Sequence, residues 1–303
     1  MGQSTSNLLM IRPASFGFNE QTAESNTFQK NTNELVHEKA LQEFDAFVNL
    51  LSSRGVSVMV QKDTDQPQKP DAIFPNNWVS FHENGDVILY PMQAENRRFE
   101  RREDIIRKLE DRFQVNHIID LSRFELQDKF LESTGSMVLD RENKLAYACL
   151  SPRTNEEVLQ NVCEYLGYQA ITFNAVNNTG QAIYHTNVMM CIGSQFAIIC
   201  LDSITHDNEK QKVIESLKVT GKEIIAIELA QLNHFAGNML EVTNNEGKKI
   251  LVMSKSAYSC LNSVQVESLK QYVEIIYADL TTIEAVGGGS ARCMLAEVHL
   301  PTL

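Results

Sequence analysis

The sequence predicts a mixed α/β fold in which units of hairpin, helix and strand repeat and close on one another as a single domain over residues 1–303. Three observations carry this. Small or polar stretches recur along the chain at Asp71-Ala72-Ile73-Phe74-Pro75-Asn76-Asn77, Glu132-Ser133-Thr134-Gly135, His185-Thr186-Asn187, His234-Phe235-Ala236-Gly237-Asn238 and Gly287-Gly288-Gly289. The first four each lead into a two-strand pattern, then a helical pattern, then a further short apolar strand. The period, roughly 50 to 60 residues, suits propellers and other closed arrays. A unit of that size cannot bury its own apolar faces, so neighbours must share them. Closure would remove exposed sheet edges and bring the five polar openings to one end of a central axis.

In chain order, Leu8-Leu9-Met10-Ile11 is a short apolar run stopped by Arg12-Pro13, which reads as an edge or end of a strand. A helix is predicted within 31–53, where Val36, Ala40, Phe44, Phe47, Val48 and Leu51 recur at three-to-four spacing. Gly55 stops it, 56–60 is the next strand, and 63–69 is a polar loop. The first repeat has strands at 78–81 and 87–90 around Asn84-Gly85-Asp86, then a helix over 98–113. The second has strands at 137–139 and 145–150. Its helix opens at Ser151-Pro152-Arg153-Thr154, with Thr154 and Glu157 spaced as a capping box, and runs to about 166. Strands 188–192 and 196–200 and a helix over 208–217 make the third. The fourth has strands at 239–242 and 250–253 and a helix over 264–272. Connecting strands fall at 115–120, 169–173, 223–226 and 273–277. The fifth unit has one strand, 294–298, and the spare strand at 8–11 is available to pair with it.

A net charge of −12 argues against nucleic acid as the main partner and against an anionic membrane surface. It does not oppose a small substrate, since a local pair of arginines outweighs the global sign. The polar stretch 1–7 has no basic segment leading into an apolar one, so no signal peptide is expected. No run approaches the length of a membrane span. Five of the six cysteines, Cys149, Cys163, Cys191, Cys200 and Cys260, are scattered mostly within apolar runs and read as small core residues in a reducing compartment, which places the chain in the cytoplasm. A dimer is compatible with the sequence.

Cys293 is different. It follows three glycines by three residues and precedes the apolar run Met294-Leu295-Ala296. A glycine-rich loop lets backbone approach closely, and unpaired backbone N–H groups beside a thiol favour its thiolate. The competing reading is a buried structural cysteine. His185 and Glu132 each head an opening at the phase that Cys293 occupies in its own. Thiol, imidazole and carboxylate together fit covalent catalysis, with the histidine protonating a leaving nitrogen and then activating water. His234 heads another opening and is a rival base. A metal site competes on residue type, but no closely spaced ligand pair of the HxxxH or CxxC kind occurs, so no metal and no cofactor are expected. Arg97 and Arg98 follow the first hairpin and Arg153 the second, where a guanidinium could grip a carboxylate in bidentate fashion.

The stretches Phe74-Pro75-Asn76-Asn77, Leu131-Glu132-Ser133-Thr134-Gly135-Ser136, Ser151-Pro152-Arg153-Thr154-Asn155, Tyr184-His185-Thr186-Asn187 and 287–294 resemble the guanidine-modifying enzymes. These are the arginine deiminases, dimethylarginine hydrolases and amidinotransferases. The resemblance runs from about residue 8 to 297, and the nearest subgroup is the citrulline-utilisation hydrolase type. It implies the pentein fold, a five-bladed α/β propeller, and metal-independent hydrolysis of a small amino-acid substrate. It further implies Cys293 as nucleophile, His185 as general acid and base, and Glu132 as the carboxylate on the substrate nitrogens. Arg153, with Arg97 or Arg98, would take the substrate carboxylate, and Phe74, Asn77 and Asn187 would line the pocket.

Two departures from that family bear on substrate. The deiminases and dimethylarginine hydrolases place Asp at the position of Asn77, and the deiminases also place Asp at Asn187. Two carboxylates favour a cationic guanidinium, whereas an amide offers both donor and acceptor and matches a neutral urea. The expected substrate is therefore a ureido amino acid such as citrulline, giving ornithine, ammonia and carbon dioxide. An arginine deiminase, a dimethylarginine hydrolase, an amidinotransferase and a non-enzymatic pentein scaffold are the alternatives.

Overall fold

Each strand triplet in the chain is built the same way. The computed structural model describes residues 2–23, 25–31 and 36–303. In the first sheet β3 (Val79–Phe81) pairs antiparallel with β4 (Asp86–Leu89), which pairs parallel with β5 (His117–Asp120). The pattern recurs in β6 (Val138–Asp140), β7 (Leu145–Cys149) and β8 (Gln169–Phe173). It recurs again in β9 (Met190–Ile192), β10 (Phe196–Ile199) and β11 (Glu223–Ala226). The fourth sheet comprises β12 (Leu240–Thr243), β13 (Lys249–Ser254) and β14 (Glu274–Ala278). A parallel pair needs a crossover, and helices Glu103–Leu109, Glu156–Leu166, Asp207–Val219 and Ser263–Lys270 supply it.

The fifth sheet joins the two ends of the chain. β15 (Ala296–Glu297) pairs antiparallel with β1 (Asn7–Arg12), placing Leu8 opposite Glu297 and Leu9 opposite Ala296. β1 then runs parallel to β2 (Ser57–Lys62), with helix Val36–Ser53 between them. The spare strand therefore does close the fifth unit, but it is the central strand of its sheet and not an edge. Leu8, Leu9 and Met10 are fully buried. The result is a five-bladed α/β propeller.

Neighbouring units share their apolar faces. Leu9 and Ala296 pack in one cluster with Trp78 and Phe81 of the first unit. Tyr147 and Cys149 of the second pack with the third sheet and with Leu251 and Met253 of the fourth. Among the described residues no helix is long and apolar enough to cross a membrane.

Several boundaries differ from the sequence reading. The helix expected over 98–113 is two pieces, a 3₁₀ turn at Glu95–Glu100 and the helix Glu103–Leu109. Arg101 and Arg102 between them are extended, and the 3₁₀ turn buries Arg97 against Glu100. The first four residues of the 31–53 reading beyond 31 lie outside the described residues. The helix after the second hairpin is capped by Asn155, whose side chain accepts from the N–H groups of Glu157 and Val158, and not by Thr154. Three hairpins, and the strand β15, are preceded by a single helical turn: Pro75–Asn77, Ser133–Ser136, Thr186–Met189 and Ala291–Met294. The strand expected from 188 therefore begins at Met190, because Val188 and Met189 belong to the third of these turns.

Candidate active site

The helical turns at the openings all point residues to one place. Helix Thr281–Gly287 ends at Gly288, whose φ of +63° is left-handed and suits glycine. A Cβ on Gly289 would lie 2.9 Å from the Phe74 ring and 3.3 Å from Cys293 Cβ. The glycines thus let the loop lie flat on Phe74 and bring the turn Ala291–Met294, with Cys293, into the middle of the molecule.

The thiol is buried, and its surroundings differ from those expected. The N–H of Cys293 donates to Ser290 O at 3.0 Å, and that of Arg292 to Asn238 Oδ1 at 3.0 Å. The groups donating to sulfur are side-chain amides: Asn238 Nδ2 at 3.2 Å and Asn187 Nδ2 at 3.6 Å. Burial pushes the thiol pKa up, and the Ser290 backbone contact, the Asn238 amide, the charge of Arg292 and the Asn187 amide pull against it.

Glu132 is the hub of the charged groups. Its carboxylate accepts from His185 Nε2 at 2.8 Å and from Gln93 N–H at 3.1 Å. Arg153 Nη1 stands 3.6 Å away and Arg97 Nη1 3.9 Å. Burial works to raise its pKa, but Arg153, His185 and Arg97 together outweigh it and hold the carboxyl at about 2. Burial brings His185 down to about 4 despite the neighbouring Glu132. At neutral pH the pair is thus carboxylate and neutral imidazole. With Nε2–H donating to Glu132, Nδ1 is the unprotonated nitrogen, free to take a proton. Gly135 makes room for it, since a Cβ there would stand 2.9 Å from His185 Cε1 and Nδ1.

Phe74, Asn77, Arg97, Arg153, His185 and Cys293 line one cavity together. Asn77 accepts from Arg97 Nη1 at 2.9 Å and donates to Asn76 Oδ1 at 3.1 Å. Arg97 is already held in bidentate fashion by Glu100, at 2.8 and 2.9 Å. Arg153 donates Nε and Nη2 to Ser25 Oγ and Nη2 to Thr22 O, and lies 5.1 Å from the centre of the Tyr184 ring. Asn187 is buried with its Oδ1 unpartnered.

Two sequence candidates are not brought here. Arg98 donates to Met92 O and pairs with Glu125 at 3.4 Å, outside the cavity. As the next residue along the same turn it points away from the side that Arg97 faces. His234 is exposed, with its nearest polar partner Ser256 Oγ at 3.4 Å. Conversely, Asp71 and Asn238 join the site although nothing in their residue type marks them in the sequence. Asp71 lines the cavity; its Oδ2 accepts from Asn19 at 2.8 Å and Thr22 at 3.2 Å, and its Oδ1 is buried and unpartnered. Burial raises its pKa, against the charge of Arg97. Both residues stand in the recurrent openings, so their phase in the repeat was the available signal.

The cavity is narrow. It leaves about 10 Å³ for the centre of a water molecule, room for about one water. Asn26 Nδ2 donates to Gly288 O and Gln29 Nε2 to Gly287 O, both at 3.1 Å, and Tyr184 OH donates to Gly288 O at 2.7 Å. Among the described residues no group of three or more His, Cys, Asp or Glu side chains is arranged to hold a metal ion.

Residues 12–300 match the family model described as N,N dimethylarginine dimethylhydrolase, eukaryotic. No curated protein sequence matches at a significant level. Among solved structures, the substrate-bound N-terminal domain of ArgZ, an arginine dihydrolase from the ornithine-ammonia cycle in cyanobacteria, superposes with a TM-score of 0.76 at 18% identity, covering 98% of this chain and 99% of that one. A mutant of AgrE in binary complex with L-arginine gives 0.77 at 17% identity, covering 98% of this chain and 40% of that one. A mutant of the dimethylarginine hydrolase from Pseudomonas aeruginosa complexed with citrulline gives 0.65 at 14% identity, covering 97% and 99%. At such identities the likeness is one of fold, and that fold is the pentein propeller.

Proposed function

The chain belongs to the N,N dimethylarginine dimethylhydrolase family, and on that basis we propose that residues 1–303 work as one domain that hydrolyses the ureido group of citrulline to ornithine, ammonia and carbon dioxide. Hydrolysis of guanidino-type C–N bonds is the activity of the class; citrulline as substrate, and the role of each residue, are our reading. The single observation that carries it is the free amide beside the sulfur: Asn187, with Nδ2 at 3.6 Å from Cys293 Sγ, is buried with its Oδ1 unpartnered. Glu132 is already engaged by His185. A neutral ureido group offers N–H donors and a C=O acceptor, which amides match without a stranded charge.

Cys293 Sγ attacks the ureido carbon. The thiol proton passes to His185 Nδ1, the bond to the terminal nitrogen breaks, His185 delivers that proton to the nitrogen, and ammonia leaves. The resulting thiocarbamate on Cys293 is attacked at the same carbon by a water that His185 deprotonates. The C–S bond breaks, the thiolate is restored, and the freed carbamate loses carbon dioxide to give ornithine. Glu132 keeps the imidazole in the required tautomer and compensates its charge. Arg153 binds the α-carboxylate. Arg97, tied to Glu100, acts through Asn77, which it orients. A covalent course is supported by a relative: an Asn-to-Ser mutant of the ArgZ domain is covalently bonded to a reaction intermediate.

A second reading is favoured by Asp71, whose unpartnered Oδ1 in the cavity could receive a cationic guanidinium. Arginine would then pass through citrulline to ornithine. Ammonia and ornithine released from citrulline and from arginine, with Cys293→Ala as control, separate the two. We expect one ammonia per ornithine from citrulline, and a kcat/KM at least about tenfold above that for arginine. Two ammonia per ornithine from arginine, at equal or higher kcat/KM, would establish the second reading. Citrulline accumulating from arginine would mean a deiminase and sink both.

A further inference from the structure

We propose that Asn238 is a positioning residue for the nucleophile, a fixed amide that holds Cys293 Sγ in place and donates a hydrogen bond that strengthens as the sulfur takes on negative charge. The inference rests on Cys293 being the nucleophile, as in the reading above, but not on the identity of the substrate.

Asn238 is fully buried and pinned at both ends of its amide. Its Oδ1 accepts the N–H of Arg292 at 3.0 Å, one residue before the nucleophile. A backbone N–H is only a donor, so this contact settles which end of the amide is oxygen. The NH₂ group must face the other way, and its two donors are then both used: one on Asn187 O at 3.0 Å and one on Cys293 Sγ at 3.2 Å. Asn238 thus grips the nucleophile's turn and its sulfur at once. Its own backbone is equally fixed. A Cβ on the preceding Gly237 would lie 2.6 Å from the Met189 carbonyl carbon, so the fourth opening packs directly on the helical turn Thr186–Met189 that carries Asn187.

Asn187 is unlike it. Its Nδ2 is at the long distance of 3.6 Å from sulfur and its Oδ1 has no partner. Of the two amides Asn238 is therefore the one with no freedom to turn toward a substrate, and its work is on the sulfur. In this buried site, together with the charge of the neighbouring Arg292, this donor offsets part of the desolvation that opposes thiolate formation. A hydrogen bond to a charged group is worth more than one to a neutral group, so its loss is felt most in the charged state.

The test reads the sulfur and not the turnover alone. Carboxamidomethylation of Cys293 by iodoacetamide is followed against pH by peptide mass spectrometry in the full-length protein, Asn238→Ala and Asn238→Asp, with Cys293→Ala as blank. The aspartate variant keeps the side-chain volume and the acceptor for Arg292 N–H, so the turn stays anchored. We expect the midpoint of the alkylation profile to rise by about one unit in the alanine variant and by more in the aspartate variant. On citrulline, kcat should fall ~10- to 100-fold with KM changed less than about threefold. Altered access to the thiol would scale the rates without moving the midpoint. Variants whose midpoints superimpose on that of the unmodified protein overturn the proposal, whatever their activity or melting temperature. A shifted midpoint in a protein that never turns over citrulline would retain Asn238 in its role and reject the substrate.

Discussion

The Glu132–His185 pair is where burial and charge are most finely opposed. His185 is lowered to about 4 in the folded chain, below its ordinary value near 6.5. As pH falls through that window the unfolded chain takes up a proton before the folded one does, so the contribution of His185 to stability is complete above about 6.5 and declines as pH drops toward 4. Glu132, held at about 2, acts in the same direction but only below about 4.5. Denaturant unfolding of His185→Gln and the unmodified protein at pH values between about 6.5 and 4.5 should therefore show the unmodified protein losing stability relative to the variant. Parallel curves would mean that the imidazole is not buried neutral. At this scale much of the site was legible. Cys293 stood out by its glycines, and His185 and Glu132 by heading their openings. Asn238 and Asp71 shared those openings, but Asn and Asp are common turn formers and carry no signal of their own. Arg97 and Arg98 were indistinguishable in sequence, because which of two adjacent side chains faces inward depends on a turn with no apolar periodicity.

Elements were read best where a pattern is long enough to repeat. Helices Val36–Ser53 and Asp207–Val219 show their buried side chains at helical spacing and lie close to their expected spans. The single turns before the hairpins were missed because three or four residues cannot display a period. The break at Arg101 and Arg102 was missed because it answers to the burial of Arg97, a tertiary demand. The capping residue of helix Glu156–Leu166 was misplaced by one, since Thr154 fits the box pattern while Asn155 makes the bonds. Replacing Asn155 by Ala should therefore cost about 1 kcal/mol in denaturant unfolding, the usual value of a lost N-cap. A change within about 0.2 kcal/mol would show that the cap contributes nothing beyond solvation.

At the scale of the molecule, the repeat and its closure were both readable, because a unit with one strand too few and an unclaimed strand near residue 8 imply each other. What the repeat could not convey is how tightly its openings meet. Room for about one water, sealed by Asn26, Gln29 and Tyr184 on the carbonyls of Gly287 and Gly288, is far less than an amino acid occupies. If binding requires a rarer, wider form of the protein, the measured dissociation constant of any ligand is the intrinsic one divided by the fraction of time that form exists. Waiting also slows arrival: association with Cys293→Ala should fall well below the diffusional ceiling of ~10⁸ M⁻¹s⁻¹. Cutting one latch by Asn26→Ala in that background should quicken association by about threefold or more; an unchanged rate would mean that the latch does not keep the time. Affinity and speed in this protein would then be set partly by residues that never touch the reacting carbon, and a tighter ligand could be had by loosening the molecule around it.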